Sequence, residues 1–284
     1  MGARVLILDG NTDEGTAKIV SLGAQPYGEG YTAALRFFEP DLEVFVLRPA
    51  NAESLPAGTA LTDFDGIAWT GSPLSAYEAR PEVARQIEMA RAVHAAGVPC
   101  FGSCWGQQIM CQALGGEVRA NPKGLEIGIA RGITLTDAGM AHPMFARKSS
   151  PFDALCIHRD EVVTLPQGGR VLAHNAMSGI QAMELAGAQG NLWAVQYHPE
   201  FDFHLMAVLL HRDAQALVDQ AICASPEEAR ALADAFERLH RDPADEAAAA
   251  RLDAGRAVRD PAVRMAELGN WLREKVLPHA AART

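Results

Sequence analysis

Short apolar runs separated by helical patterns fill the first two thirds of the chain. Val5-Leu6-Ile7-Leu8 reads as a buried strand ending at Asp9-Gly10-Asn11, a turn signal. A helical stretch follows over 32–38, then strands at 44–47 and 67–69, the second closed by Gly71-Ser72-Pro73. Residues 81–96 carry helical spacing, with Val83, Ile87, Ala90 and His94 near one face and Gly97 as the stop. A strand at 98–101 and a helix at 107–114 come next. This β-α-β-α order predicts a mostly parallel sheet with helices on both faces. From residue 127 the pattern turns strand-rich, at 127–135, 154–157, 171–173, 180–185 and 192–196, which predicts hairpins or a second sheet added to the first. A helix over 204–222 closes this part. Beyond Cys223, Leu232, Phe236, Leu239, Leu268 and Leu272 keep helical spacing, and Ser225-Pro226 is a helix start. The expected division is a domain over 1–222 and a helical extension over 223–284, in two or three segments.

Composition narrows the function classes. The 284 residues are 49% hydrophobic and 21% charged, the balance of a globular protein that builds its core without metals. A formal charge of −10 leaves no broad basic surface for nucleic acid. Five cysteines without Cys-x-x-Cys spacing argue against a disulfide framework or structural zinc. No apolar stretch approaches the roughly 18 residues that span a bilayer. The expectation is a cytoplasmic protein with no membrane partner and no metal or organic cofactor.

Two segments carry chemistry. Val98-Pro99-Cys100-Phe101-Gly102-Ser103-Cys104-Trp105-Gly106 has the strand, sharp turn and helix order of a nucleophile elbow, with cysteine in the nucleophile's place. Small residues at 102 and 106 let strand and helix approach closely. Cys104 is then displayed at a helix N-terminus, whose partial positive charge favours a thiolate. The Trp105 N–H, with a donor from the Gly71-Ser72 loop, can receive an oxyanion. Leu192 to Gln196 is a strand that delivers His198 to the same sheet edge, and Glu200 stands two residues on to orient the ring.

Together these residues resemble the class I (triad) glutamine amidotransferases, in particular the amidotransferase half of GMP synthetase, over about residues 3–222. Gly102-x-Cys104-x-Gly106-x-Gln108 and Tyr197-His198-Pro199-Glu200 carry the resemblance. It implies a flavodoxin-like sheet and a Cys104, His198, Glu200 triad, with Gln108 helping to hold glutamine. It also implies an oxyanion loop from Asp65 to Pro73, and a pocket bordered by His158, Arg159 and Asp160. Ser72 and Arg159 stand where that family commonly has glycine.

The implied reaction is hydrolysis of the glutamine side-chain amide through a cysteine thioester. A synthetase receiving the ammonia would be another chain. A free-standing γ-glutamyl hydrolase or peptidase is the alternative, and a ligand-binding protein retaining the fold is the non-catalytic one. Cys100, Cys111, Cys156, Cys223 and His142 read as structural. Gly28-x-Gly30-x-x-Ala33 fits a dinucleotide pattern on paper but does not follow a strand. The C-terminal helices are expected to form a docking layer or a homo-oligomer contact.

Overall fold

The computed structural model describes residues 2–187 and 190–283. The strands are β1 (Arg4–Leu8), β2 (Glu43–Leu47), β3 (Gly66–Trp69), β4 (Cys100–Ser103), β5 (Glu117–Ala120), β6 (Glu126–Leu135), β7 (Phe152–His158), β8 (Asp160–Thr164), β9 (Gly169–His174), β10 (Ala182–Gly187) and β11 (Gly190–Val195). In β1, Val5 and Ile7 enter one core layer while Leu6 and Leu8 enter the layer on the opposite face. An unbroken apolar run is what a strand covered on both faces requires.

One sheet has the order β2-β1-β3-β4-β11-β10-β9-β6-β7. Its first five strands are parallel. This is the flavodoxin-like order, with β11 as the fifth strand. The remaining strands extend it antiparallel, and β5 pairs with β8 in a separate ribbon. The expected β-rich addition is therefore mostly a continuation of the first sheet. The spacing of β5 and β8 left both unpredicted, because each is short and bounded by polar residues.

Helix Pro81–Ala96 has the expected bounds and ends on Gly97 at φ 68°. The expected single helix at 204–222 is two, Phe203–Arg212 and Ala214–Asp219, with a break at Asp213. Ser225 caps Pro226–Arg241 by accepting from the Glu228 N–H. The rest of the C-terminal segment breaks into several short pieces, because Asp245 and Asp260 start new helices with their carboxylates and Pro261 interrupts the run.

These pieces are sewn into the main core. Trp271, Leu272 and Val276 share a cluster with Val5, Ile7 and Phe101. A Cβ on Gly66 in β3 would come within 2.7 Å of Val276. The Glu267 carboxylate accepts from the Tyr197 hydroxyl and the Lys148 ammonium, both at 2.5 Å and all buried.

Candidate active site

The strand–turn–helix geometry places Cys104 between β4 and helix Trp105–Ala113. Its backbone sits at φ 49°, ψ −97°, a conformation that costs a non-glycine residue about 1–3 kcal/mol. The flanking small residues make the turn possible. A Cβ on Gly102 would lie 2.6 Å from the Gly106 carbonyl carbon, and one on Gly106 would lie 2.8 Å from Trp69. The Cys104 N–H donates to the Val195 carbonyl at 2.7 Å, tying the turn to the adjacent strand.

That adjacency brings in the imidazole. β11 runs parallel to β4 with Val195 opposite Ser103, so both chains leave the sheet at the same edge. His198 follows three residues after Val195, and its N–H donates to the Leu155 carbonyl at 2.8 Å. The ring stacks on Phe201, with centroids 3.7 Å apart and planes 13° from parallel. Nδ1 meets Glu200 Oε1 at 2.7 Å, which leaves Nε2 for the cysteine. Both His198 and Glu200 are buried. Burial alone would lower the imidazole's affinity for a proton. The charges of Glu200 and Cys104, with the Glu200 hydrogen bond, outweigh burial and push His198 up to about 10.

Gly71 closes the other side of the ring, where a Cβ would lie 2.7 Å from His198 Cε1. Among the described residues no acceptor takes the Gly71 or Ser72 N–H. Behind this loop Asp9 is buried, its carboxylate accepting from the Asn11 and Gly28 N–H groups and the Thr70 hydroxyl. The turn signal at the end of β1 thus anchors the end of β3. A cavity of about 150 Å³ opens at the sheet edge, and Gly71, Ser72, Cys104, Gln108, His158, Arg159, Asp160 and His198 all line it. Glu200 lies behind His198, outside the lining. The Trp105 indole points into the core and donates to Gln86 at 2.7 Å, leaving only its backbone near the site.

The sequence model of "Glutamine amidotransferase class-I" matches residues 32–212. The chain belongs to this family. A γ-glutamyl-L-1-hydroxyisopropylamide hydrolase from a Pseudomonas species is 37% identical over 222 residues, 76% of this chain and 74% of that protein. A GMP synthase from Clostridium botulinum is 33% identical over 135 residues, 48% of this chain but only 24% of that protein. The crystal structure of a glutamine amidotransferase from Thermotoga maritima superposes with a TM-score of 0.68 at 18% identity, covering 97% of this chain and 99% of that one. As a member of this family the chain is a hydrolytic enzyme with the expected fold.

Within the amidotransferase cavity the remaining expected residues are held in different ways. Gln108 is buried and donates to the Asp160 carbonyl and to Gln196 Oε1, both at 3.2 Å. The His158 ring is locked between Glu126 at 2.7 Å and the Asp160 carbonyl at 3.0 Å. The Asp160 carboxylate accepts from Tyr77 at 3.1 Å. Arg159 is exposed, and its guanidinium has no ion-pair partner among the described residues.

Tyr27, Phe201, Arg212 and Asp213 also line the cavity and were not anticipated. Phe201 and Gln196 had a signal, one flanking the His-x-Glu segment and the other a polar interruption of a buried strand. Arg212 and Asp213 form a bidentate pair at 2.6 and 2.8 Å at the end of helix Phe203–Arg212, which carries no motif. No helix among the described residues is long and apolar enough to cross a membrane.

Proposed function

We propose that the chain hydrolyses a γ-glutamyl amide with Cys104 as nucleophile, His198 as acid and base, and Glu200 as the group that orients His198. The observation that carries this is that Cys104 and His198 line one cavity at the sheet edge, with Glu200 Oε1 holding the far side of the His198 ring at 2.7 Å. The thiolate attacks the γ-carbonyl carbon, and the oxygen's negative charge develops toward the N–H groups of Trp105 and the Gly71-Ser72 loop. The C–N bond then breaks as imidazolium passes its proton to the departing nitrogen. Neutral His198 next takes a proton from the water that attacks the thioester. Glutamate leaves, and the thiolate–imidazolium pair returns. Gln108, His158, Arg159 and Asp160 are the proposed walls of the glutamyl subsite.

Whether the amide nitrogen is that of glutamine or is substituted separates two readings. Similarity over 76% of the chain to a hydrolase of a substituted γ-glutamyl amide favours a free-standing hydrolase. The match to GMP synthase leaves most of that enzyme without a counterpart here, so the glutaminase reading needs a synthetase on another chain to use the ammonia. Purified protein given glutamine and a series of γ-glutamyl alkylamides tests both, with glutamate release as the readout. Turnover of alkylamides well above glutamine supports the hydrolase. Turnover of glutamine alone supports the glutaminase. Unreduced activity in Cys104→Ala would sink both.

The proposed domain is 1–222, with 223–284 as a layer packed on its core. The apolar positions of those helices are consumed inside the chain, so a homo-oligomer contact would have to use their polar faces. The required thiolate suits a reducing compartment, and the cytoplasm is the proposed location.

A further inference from the structure

We infer that the chain binds a small carboxylate with an apolar body in a second cavity, behind the His198–Glu200 pair. This cavity measures about 450 Å³, within the range of roughly 300–1,000 Å³ for small-molecule sites. It shares only Tyr27 and Phe201 with the cavity at Cys104. Pro26, Tyr31, Ala34, Phe37, Leu205 and Met265 supply its apolar wall.

The polar end is Arg264, nine-tenths buried. Its guanidinium lies over the Phe203 ring, and Nη1 donates to the Val258 carbonyl at 3.0 Å. Nε has no partner, and no carboxylate lies within ion-pair distance among the described residues. The other charged groups of the lining have partners of their own. Glu200 holds His198 through Oε1 while its Oε2 has no partner, and His204 pairs with Glu237. Asp202 caps the Leu205 N–H and lies 3.9 Å from His240. Asp260, close by in sequence, accepts from Ala262 and pairs with Arg256. Asp202 and Asp260 attract Arg264 at longer range without forming an ion pair, and an anion bound in contact with it relieves the remaining cost of burial.

Gly30 makes the space. It sits inside helix Tyr27–Phe38, where glycine is destabilising relative to alanine. A Cβ there would meet nothing within 4 Å, so no packing contact requires the glycine. Its neighbour Gly28 differs, because a Cβ there would lie 2.8 Å from Val46. The Gly28-x-Gly30-x-x-Ala33 pattern therefore does not mark a strand-to-helix phosphate loop. Gly30 and Ala33 border the cavity that Arg264 also lines.

Titration calorimetry with hexanoate and benzoate, against hexanamide and benzamide, tests the assignment. The acids are expected to bind wild-type protein at least about tenfold more tightly than the amides. Arg264→Met is expected to erase that preference. Gly30→Leu, which places a side chain in the open space, is expected to abolish binding of acids and amides while cooperative thermal unfolding is retained. Equal affinity for acid and amide, undiminished binding in Gly30→Leu, or no binding of either acid to folded wild-type protein overturns the inference.

Discussion

Cys104 holds a strained backbone at the cavity rim, and the groups around it explain why the strain is tolerated. The N–H bond to Val195 and the close approach of Gly102 to Gly106 leave the turn no other path. His198 sets the pH behaviour. Its proton affinity is raised from the ordinary 6.5 to about 10, so the stability and activity that depend on the charged ring are whole below about 6.5 and lost as pH rises through about 10. The alkaline limb of kcat/KM is expected near that value. Glu200→Gln removes one of the charges that raise it, so the limb should move to lower pH while kcat falls by roughly 10²–10⁴. An unshifted limb would show that Glu200 does not govern His198. Gly71→Ala puts a Cβ against His198 Cε1, and kcat is expected to fall by about 10² with little change in unfolding midpoint.

At the scale of elements, close approach and open space give opposite results for the same substitution. In helix Trp105–Ala113, Gly106→Ala drives a Cβ to 2.8 Å from Trp69, and urea unfolding should show a loss of about 1–3 kcal/mol. In helix Tyr27–Phe38, Gly30→Ala meets nothing and should gain about 0.5–1 kcal/mol. Ser225→Ala removes the cap of Pro226–Arg241 and should cost about 1 kcal/mol. Equal effects at Gly106 and Gly30 would contradict the packing described for both helices.

The whole molecule depends on its last sixty residues for a closed core. Glu267 lies in the C-terminal segment, yet its partners Lys148 and Tyr197 come from the sheet domain. Lys148→Met leaves that carboxylate buried without a counter-charge, and the expected loss is about 3–5 kcal/mol in thermal or urea unfolding. Truncation after residue 222 strips Trp271, Leu272 and Val276 from the cluster they share with β1 and β4. The truncated chain should lack a cooperative unfolding transition by calorimetry. A stable, active truncation would show instead that the C-terminal layer is dispensable.

The parallel core and the elbow were legible because each rests on local signals. Buried strands need unbroken apolar runs, and a tight strand–helix turn needs small residues at 102 and 106. The sequence alone also identified Cys104, His198 and Glu200 as candidates, since a thiol at a helix start and a His-x-Glu after a buried strand have few competing uses. Only the tertiary structure decided that β11 lies beside β4, which is what brings residue 198 to residue 104. It alone revealed that Arg212 and Asp213 reach the same cavity. It alone revealed too that the C-terminal helices complete the core rather than sit outside it. Strand neighbours and buried charge pairs are chosen by packing between distant segments, and no short window of sequence records that choice.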